Sequence, residues 1–384
     1  MHDAFFLLSD RFHIPMPSKT NDHVLIVRLD NIGDFILWLG AAAALRAHYA
    51  RPKYRLCLVA NIAWSDFAES LGIFDEVITV NPGRLKKSLG YRYRVMRQIR
   101  RLRCGVAINP LYSRSVFGCD DVVRTCGARE RVGWDGDCNN ISPLMKFFTD
   151  RWYTRLIPHD GPDVRDLELN AEFASCITGS PGISEIPYLQ SENSLLPEIL
   201  SAAPYYVFCP GAAQSGRQWG SKNFSELASR IHRETGWTGV ICGSAVDTRA
   251  AQQIQKETLA PLIDWTGRST LQQLAAILNA SKLLVANETG AVHMAAAVRT
   301  RAVCVLGGGH FGRFLPYGPR IQPIESLPVT VSSHMPCFGC MWYCIYELQE
   351  NAPYPCISGI SVDAIWEEVL NTIARSREAT LLQQ

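Results

Sequence analysis

The apolar run HVLIVRL, residues 23–29, is followed by a helical segment and then by a second apolar run of similar length, and this alternation restricts the fold more than any other feature. YRLCLVA at 54–60, DEVITV at 75–80 and CGVAIN at 104–109 continue it. A strand covered on both faces reads as a continuous apolar run, whereas a half-exposed strand alternates with polar residues, so these runs predict buried parallel strands joined by crossover helices. The segment from about Asp34 through ILWLGAAAALRAHY is Ala-rich and apolar at i, i+3 and i+4, which predicts a helix packed on the sheet. The plan then repeats in YYVFCPG (205–211), TGVICGS (238–244), SKLLVAN (281–287) and RAVCVLGG (301–308). Between the two series lies ITGSPGISEIPYLQSENSLLPEI, residues 177–199, rich in Pro, Gly and Ser and without periodicity, as interdomain linkers are. The expectation is two doubly wound α/β domains, residues 1–180 and 181–384, with a cleft toward which the carboxyl ends of both sheets face.

Composition removes several function classes. With 38 Lys and Arg against 36 Asp and Glu, the formal net charge of +2 gives no general basic field of the kind that holds nucleic acid, so no nucleic-acid partner is expected. One local exception is RLKKSLGYRYRVMRQIRRLR, residues 84–103, with nine Lys and Arg, no acidic residue, and Tyr91 and Tyr93 interleaved. It is either a solvated helix face or a surface for an anionic partner, including peripheral contact with a membrane. No apolar stretch reaches the roughly 18 residues of a membrane span, and FFLL at 5–8 is too short for a signal-peptide core, which points to a cytoplasmic chain. Thirteen cysteines are present, and Cys57, Cys209, Cys242 and Cys304 sit singly in strand-like runs, as small apolar residues of reduced proteins do.

Ligands of doubly wound sheets bind at the strand carboxyl ends, which directs attention to four loops. In the first half RLDNIGD, residues 28–34, lacks the GxGxxG pattern of dinucleotide folds and carries carboxylates instead. In the second half the loops are PGAAQSGRQWGSKNF (210–224), GSAVD (243–247) and NETGAVH (287–293). A glycine-bearing turn that opens a helix presents free N–H groups and the positive end of the helix dipole, so NETGAVH suits a phosphate. Gly290 would allow close approach, and Thr289 would add a hydroxyl; alternatively Asn287 or Thr289 is simply a helix cap. His293, one turn further on, is a ligand contact or a hydrogen-bonded structural histidine. Ser215 and Gly216 offer small donors and Arg217 a cation for a diphosphate. Asp247 either accepts from a ribose diol or caps the helix it precedes. A phosphate grip, a cation and a diol acceptor together imply a nucleotide diphosphate ligand in the second domain.

RLDNIGDFIL, PGAAQSGRQW, GSAVD and NETGAVHMAAA, in that order, resemble the family 9 glycosyltransferases, whose best-known members are bacterial ADP-heptose heptosyltransferases. The resemblance runs from about Val24 to about Pro319. It implies a GT-B fold of two facing Rossmann-like domains, inverting transfer from a nucleotide sugar, and no metal at the catalytic centre. It places the general base on Asp34, in Ile32-Gly33-Asp34, for which a helix cap is the bland alternative. The family's lysine before tryptophan falls on Arg217, before Gln218 and Trp219. Its ribose-binding glutamate falls on Asp247, one methylene shorter, and its Asp-Thr-Gly on Glu288, Thr289 and Gly290, one methylene longer. His293 matches the family histidine, and Gly267 to Thr270, with Arg268, matches the stretch lining the base pocket.

HMPCFGCMWYCIYELQENAPYPCI gathers Cys337, Cys340, Cys344 and Cys356. Four thiolates at this spacing could fill a tetrahedral zinc or iron site of structural type, with His334 as a replacement for Cys344; a disulfide or chance bunching is the alternative. The spacing of Cys337, Cys340 and Cys356 also resembles the metal finger of heptosyltransferases that modify autotransporter proteins, a branch of the same family; here the finger would span about 334–357. The expected function is therefore inverting sugar transfer, ADP-heptose favoured as donor, to a lipopolysaccharide or other envelope saccharide. A protein acceptor is the alternative. A nucleotide-sugar-binding protein without turnover would use the same loops, and Asp34 separates it from an enzyme.

Overall fold

The structure, a computed structural model, describes residues 21–161, 165–182, 184–324, 327–349 and 352–381; the short apolar stretch at 5–8 lies outside them. Two compact units divide the chain, one of residues 1–164 and 168–183, the other of 165–167 and 184–384.

In the first unit the strands are β1 (Asn21–Arg28), β2 (Arg55–Asn61), β3 (Glu76–Val80), β4 (Cys104–Asn109), β5 (Glu130–Trp134) and β6 (Arg155–Ile157). Their helices are α1 (Ile32–His48), α2 (Ser65–Ser70), α3 (Pro82–Lys87), α4 (Leu89–Arg101), α5 (Asp121–Cys126), α6 (Pro143–Thr149) and α7 (Asp166–Thr178), whose first two residues fall in the second unit. The sheet runs β3-β2-β1-β4-β5-β6 with every pair parallel, so Ile26 lies beside Leu58 on one side and Ile108 on the other. Val24 to Val27 are fully buried, as an uninterrupted apolar run between two helical layers must be. α1 shows why such a helix forms: it starts after Asn31 in extended conformation and packs Phe35, Trp38, Ala42 and Leu45 inward.

The second unit repeats the scheme with β7 (Tyr205–Cys209), β8 (Thr238–Ile241), β9 (Leu262–Asp264), β10 (Leu284–Asn287), β11 (Ala302–Val305) and β12 (Val329–Val331), and helices α8 (Ser221–Thr235), α9 (Thr248–Lys256), α10 (Leu271–Ala280), α11 (Gly290–Ala297), α12 (Pro355–Ser358) and α13 (Val362–Leu381). Its order, β12-β11-β10-β7-β8-β9, is the same double winding. In each sheet the winding reverses between the first and fourth strands, β1/β4 and β7/β10, which is where a doubly wound sheet opens a crevice for ligand.

The irregular stretch after α7 is bonded chain from residue 184 onward: the Ile186 and Leu189 N–H groups donate to Gln322 and Ala297 carbonyls, and Arg299 donates to the Ile186 carbonyl. All thirteen cysteines are free thiols, and burial pushes those of Cys57 and Cys242 up to about 12. No described helix is long and apolar enough to cross a membrane.

Candidate functional site

The polar residue that ends the apolar β10 strand is a staple. Asn287, fully buried, accepts from the Trp219 N–H at 3.1 Å and donates to the Pro210 carbonyl at 2.5 Å, tying the loop after β7 to the end of β10. Trp219 anchors that loop's far side, its indole N–H donating to the Ile360 carbonyl at 2.8 Å. Asn287 is thus not the cap of α11; Thr289 is, in extended conformation at φ −144° and with no side-chain cap bond.

The two loops held by Asn287 bring Arg217, Glu288 and Thr289 together. Arg217 Nη2 donates to both the Glu288 carbonyl and Oε2, each at 3.2 Å, and its guanidinium lies 4.5 Å over the Trp342 ring. Burial pushes the Glu288 carboxyl up to about 7, and the Arg217 charge offsets only part of that. Arg217 Nε and the Thr289 hydroxyl are buried without a hydrogen-bond partner. Each such orphan costs about 1–3 kcal/mol, and both lie beside the open first turn of α11, where backbone N–H groups are also free of intrahelical partners.

The remaining predicted donor residues lie on the loops after β7, β8 and β9 and in α11. Gly216 lies in the turn Ser215–Arg217, its carbonyl accepting from the Tyr354 N–H at 2.7 Å; a methyl there would overlap the Tyr354 ring. Ser215 is exposed at the front of the same turn. Asp247 uses Oδ2 to accept from the Ser244 N–H and hydroxyl, both at 2.8 Å, so it does cap locally, while Oδ1 lies over Gly211, where a side chain would collide. One carboxylate oxygen bonded locally and the other turned toward the β7 loop is compatible with both roles foreseen for it. Gly267 has φ +68° and donates to the Gly243 carbonyl, which sets the exposed Arg268 beside the β8 loop, its guanidinium 5.9 Å from the Trp265 ring. His293 is buried in α11, with Nδ1 2.7 Å from the Tyr317 hydroxyl and its pKa pushed down to about 4 by burial, so it is neutral at pH 7 and its Nδ1 is occupied by protein.

In the first unit Asp34 sits at the third position of α1, not at the cap, and accepts from the Asn31 N–H at 3.2 Å. The loop carrying it is braced from three sides. Asp30 pairs with Arg28, whose guanidinium lies 5.1 Å over Trp38, and the Asp30 carbonyl accepts from Trp64 Nε1 at 2.9 Å and Asn61 Nδ2 at 3.0 Å. Sequence reasoning had no means to see this bracing, because Asn61 ends the neighbouring strand β2 and Trp64 precedes the helix that follows it.

Cys337, Cys340, Cys344 and Cys356 all line one small cavity with Gly308, Trp342 and Tyr354, and His334 is not among its lining residues. Burial raises the Cys356 thiol pKa, the Gly308 N–H that donates to its Sγ at 3.5 Å opposes the rise, and Cys337 and Cys340 add to it. Among the described residues no three His, Cys, Asp or Glu side chains are set to hold an ion. The thiols are gathered, but not closed into a coordination sphere.

The sequence reading missed Trp342 and Tyr354. Both lie between the cysteines, and a segment read for its thiols hid two aromatic rings, stacked at 5.5 Å, that support Arg217 and Gly216.

A family profile described as "Glycosyltransferase family 9 (heptosyltransferase)" matches residues 121–339, more than half of the chain. Lipopolysaccharide heptosyltransferase 2 of Salmonella typhimurium is 32% identical over 112 residues, 28% of this chain and 32% of that protein, so the match spans about a third of the relative's length. Among solved structures, a glycosyl transferase family 9 protein of Veillonella parvula superimposes with a TM-score of 0.71 at 18% identity, covering 94% of this chain and 100% of that one. The ADP-heptose lipopolysaccharide heptosyltransferase II of E. coli follows with 0.65 at 18%, covering 93% and 99%. TibC of enterotoxigenic E. coli, an iron-containing dodecameric glycosyltransferase, gives 0.50 at 16%, covering 93% and 77%. At these identities the structural likeness is one of fold, the GT-B fold with its two Rossmann-like units.

Proposed function

The chain belongs to glycosyltransferase family 9, and on that premise we propose that it transfers a heptose, with inversion, from ADP-heptose to a lipopolysaccharide or other envelope saccharide acceptor on the cytoplasmic side of the membrane. The observation that carries the donor assignment is the pair of unpartnered buried donors, Arg217 Nε and the Thr289 hydroxyl, at the uncapped start of α11. A diphosphate would satisfy both, and Asp247 Oδ1 would accept from the ribose diol, with 267–270 beside the base.

In the reaction the acceptor oxygen forms a bond to the anomeric carbon while the bond from that carbon to the diphosphate oxygen breaks. Asp34 takes the proton of the acceptor hydroxyl as the oxygen attacks. The departing ADP gains negative charge, which Arg217, the Thr289 hydroxyl and the first N–H groups of α11 would stabilise. The test is calorimetric titration with ADP-heptose and with GDP- and UDP-sugars: we expect binding of the ADP donor and its loss in Arg217→Ala, whereas unchanged affinity in that variant would remove Arg217 from the donor site.

The cysteine cavity favours a second reading of the acceptor. Cys337, Cys340 and Cys356, with Cys344 as fourth thiol, have the donor chemistry for a structural zinc or iron ion, and the N–H donated to Cys356 Sγ is of the kind that supports metal-bound thiolates. Such an ion would fix the segment and take no part in transfer. Metal analysis of the purified chain with thiol titration tests it: one zinc or iron per chain with these thiols protected is expected, and four freely titrating thiols with no metal would refute it. The spacing of Cys337, Cys340 and Cys356, similar to that of heptosyltransferases that modify autotransporter proteins, makes an acceptor of protein type the reading to test next.

A further inference from the structure

GGGHFGRF, residues 307–314, follows β11 and carries a histidine outside the diphosphate grip. Val305, which ends β11, is the register partner of Asn287, and the Glu288 N–H donates to the Val305 carbonyl at 3.2 Å, so the chain leaves β11 beside the loop that holds Glu288 and Thr289. It is then fixed against the cysteine segment. The Gly308 and Gly309 carbonyls accept from the Gly339 and Met341 N–H groups at 2.8 and 2.9 Å, and a side chain at Gly308 would collide with the Phe338 ring. The turn also closes on itself, the Arg313 N–H donating to the His310 carbonyl at 3.0 Å, and Arg313 Nε donates to Asp166 at 3.2 Å. A side chain on a loop tied at this many points is held in place before any ligand arrives.

The His310 ring stands edge-on to Phe314 at 5.4 Å and to Trp342 at 5.9 Å, and its Nδ1 lies 3.1 Å from Trp342 Nε1. An indole N–H can only donate, so Nδ1 is the acceptor and the ring carries its proton on Nε2. Burial, together with the charges of Arg313 and Arg217, pushes the His310 pKa down to about 4, which agrees with a neutral ring at pH 7. Nε2 makes no hydrogen bond among the described residues and is not one of the buried unpartnered atoms, so this N–H opens to the outside of the loop in a direction set by the bond at Nδ1. Arg217 and His310 share Trp342, the first over its ring face and the second at its N–H. One side of the indole thus supports a charged donor and its edge fixes an uncharged one.

We propose that the loop after β11 is the subsite for the transferred sugar, with His310 Nε2–H donating to one of its hydroxyl oxygens. This deepens the donor reading and rests on it. With the base at the loop after β9, the ribose at that after β8 and the diphosphate between those after β7 and β10, the units of the donor follow the strand order, and β11 is the next strand, about 4.8 Å further on. An uncharged N–H suits a sugar hydroxyl as the Arg217 guanidinium suits the phosphates. The experiment is calorimetric titration of ADP-heptose and of ADP into the native chain, His310→Asn and His310→Gln. The first variant keeps an acceptor where Nδ1 stands, and so the bond to Trp342, but has no atom at the place of Nε2; the second puts an amide N–H there. His310→Asn should bind ADP-heptose about 3- to 10-fold more weakly, the range of one neutral hydrogen bond, with ADP affinity unchanged, and His310→Gln should recover most of the loss. Equal losses for ADP and ADP-heptose would show that His310 only braces Trp342, and unchanged ADP-heptose affinity in His310→Asn, or the same loss in His310→Gln, would remove Nε2–H from the sugar; each result overturns the proposal. ADP is also the control for the donor reading: a native chain that binds neither ligand overturns that reading and this proposal with it, while intact ADP binding confines a failure to the sugar subsite.

Discussion

Glu288 makes the loop that follows β10 sensitive to pH. Its buried carboxyl, pushed up to about 7, is held largely protonated by the fold below that value. A folded pKa raised above the unfolded value of 4.5 contributes stability that is fully present below about 4.5 and is lost as pH rises toward 7. His293, whose pKa burial lowers to about 4, works in the opposite sense, its contribution being lost as pH falls from about 6.5 through 4. The difference between the native chain and Glu288→Gln isolates the first effect: melting temperatures measured from pH 4.5 to 8 should decline more steeply with pH in the native protein, and parallel curves would show that Glu288 does not titrate there. ADP-heptose affinity should likewise fall as pH passes 7 in the native chain, because an ionised Glu288 would face the diphosphate of the proposed donor, and stay flat in Glu288→Gln. Asn287→Ala should cost about 1–3 kcal/mol in chemical denaturation, since it strands the Trp219 N–H and the Pro210 carbonyl. Thr289, Gly290 and Arg217 stand out in the sequence as a candidate phosphate grip because their chemistry is local. Asn287 was not, since its partners lie 68 and 77 positions away.

At the scale of elements, the cysteine segment braces the loop that carries Gly216 and Arg217. Met341 and Trp342 have φ of 53° and 65°, a left-handed conformation that costs non-glycine residues energy and persists only where packing enforces it. That conformation lays the Trp342 ring on Gly307 and Gly309, where side chains would collide with it, and under the Arg217 guanidinium. Its indole N–H donates to Nδ1 of His310, which burial keeps neutral at pH 7 by pushing its pKa down to about 4. Tyr354 completes the support through the Gly216 carbonyl and the Gln214 side chain. Trp342→Ala should therefore weaken ADP-heptose binding about 3- to 30-fold, the range of a cation–π contact partly shielded from water, while Trp342→Phe retains most of the affinity. Equal affinity in the alanine variant, measured by calorimetry, would make the aromatic a packing residue only. The thiol spacing was legible in the sequence as a cluster; its service to the donor loop was not, because that depends on which loops the segment packs between.

Across the whole molecule, the two sheets were legible because their central strands are buried on both faces and so read as unbroken apolar runs. The outer strands β5, β6, β9 and β12 escaped notice: they are short, and Glu130, Arg131 and Arg155 interrupt their apolar character. In the proposed reaction the donor-binding residues belong to the second unit and Asp34 to the first. That division makes one substitution decisive, since changing the base leaves every donor contact in place. Transfer from ADP-heptose and donor affinity should be measured side by side for the native chain and Asp34→Asn. We expect donor affinity within about twofold and a transfer rate lower by about 100- to 10,000-fold, the usual contribution of a general base. Transfer at the native rate in Asp34→Asn would show that the proton leaves by another route, and a native chain that binds donor but transfers to no acceptor would make this a binding protein.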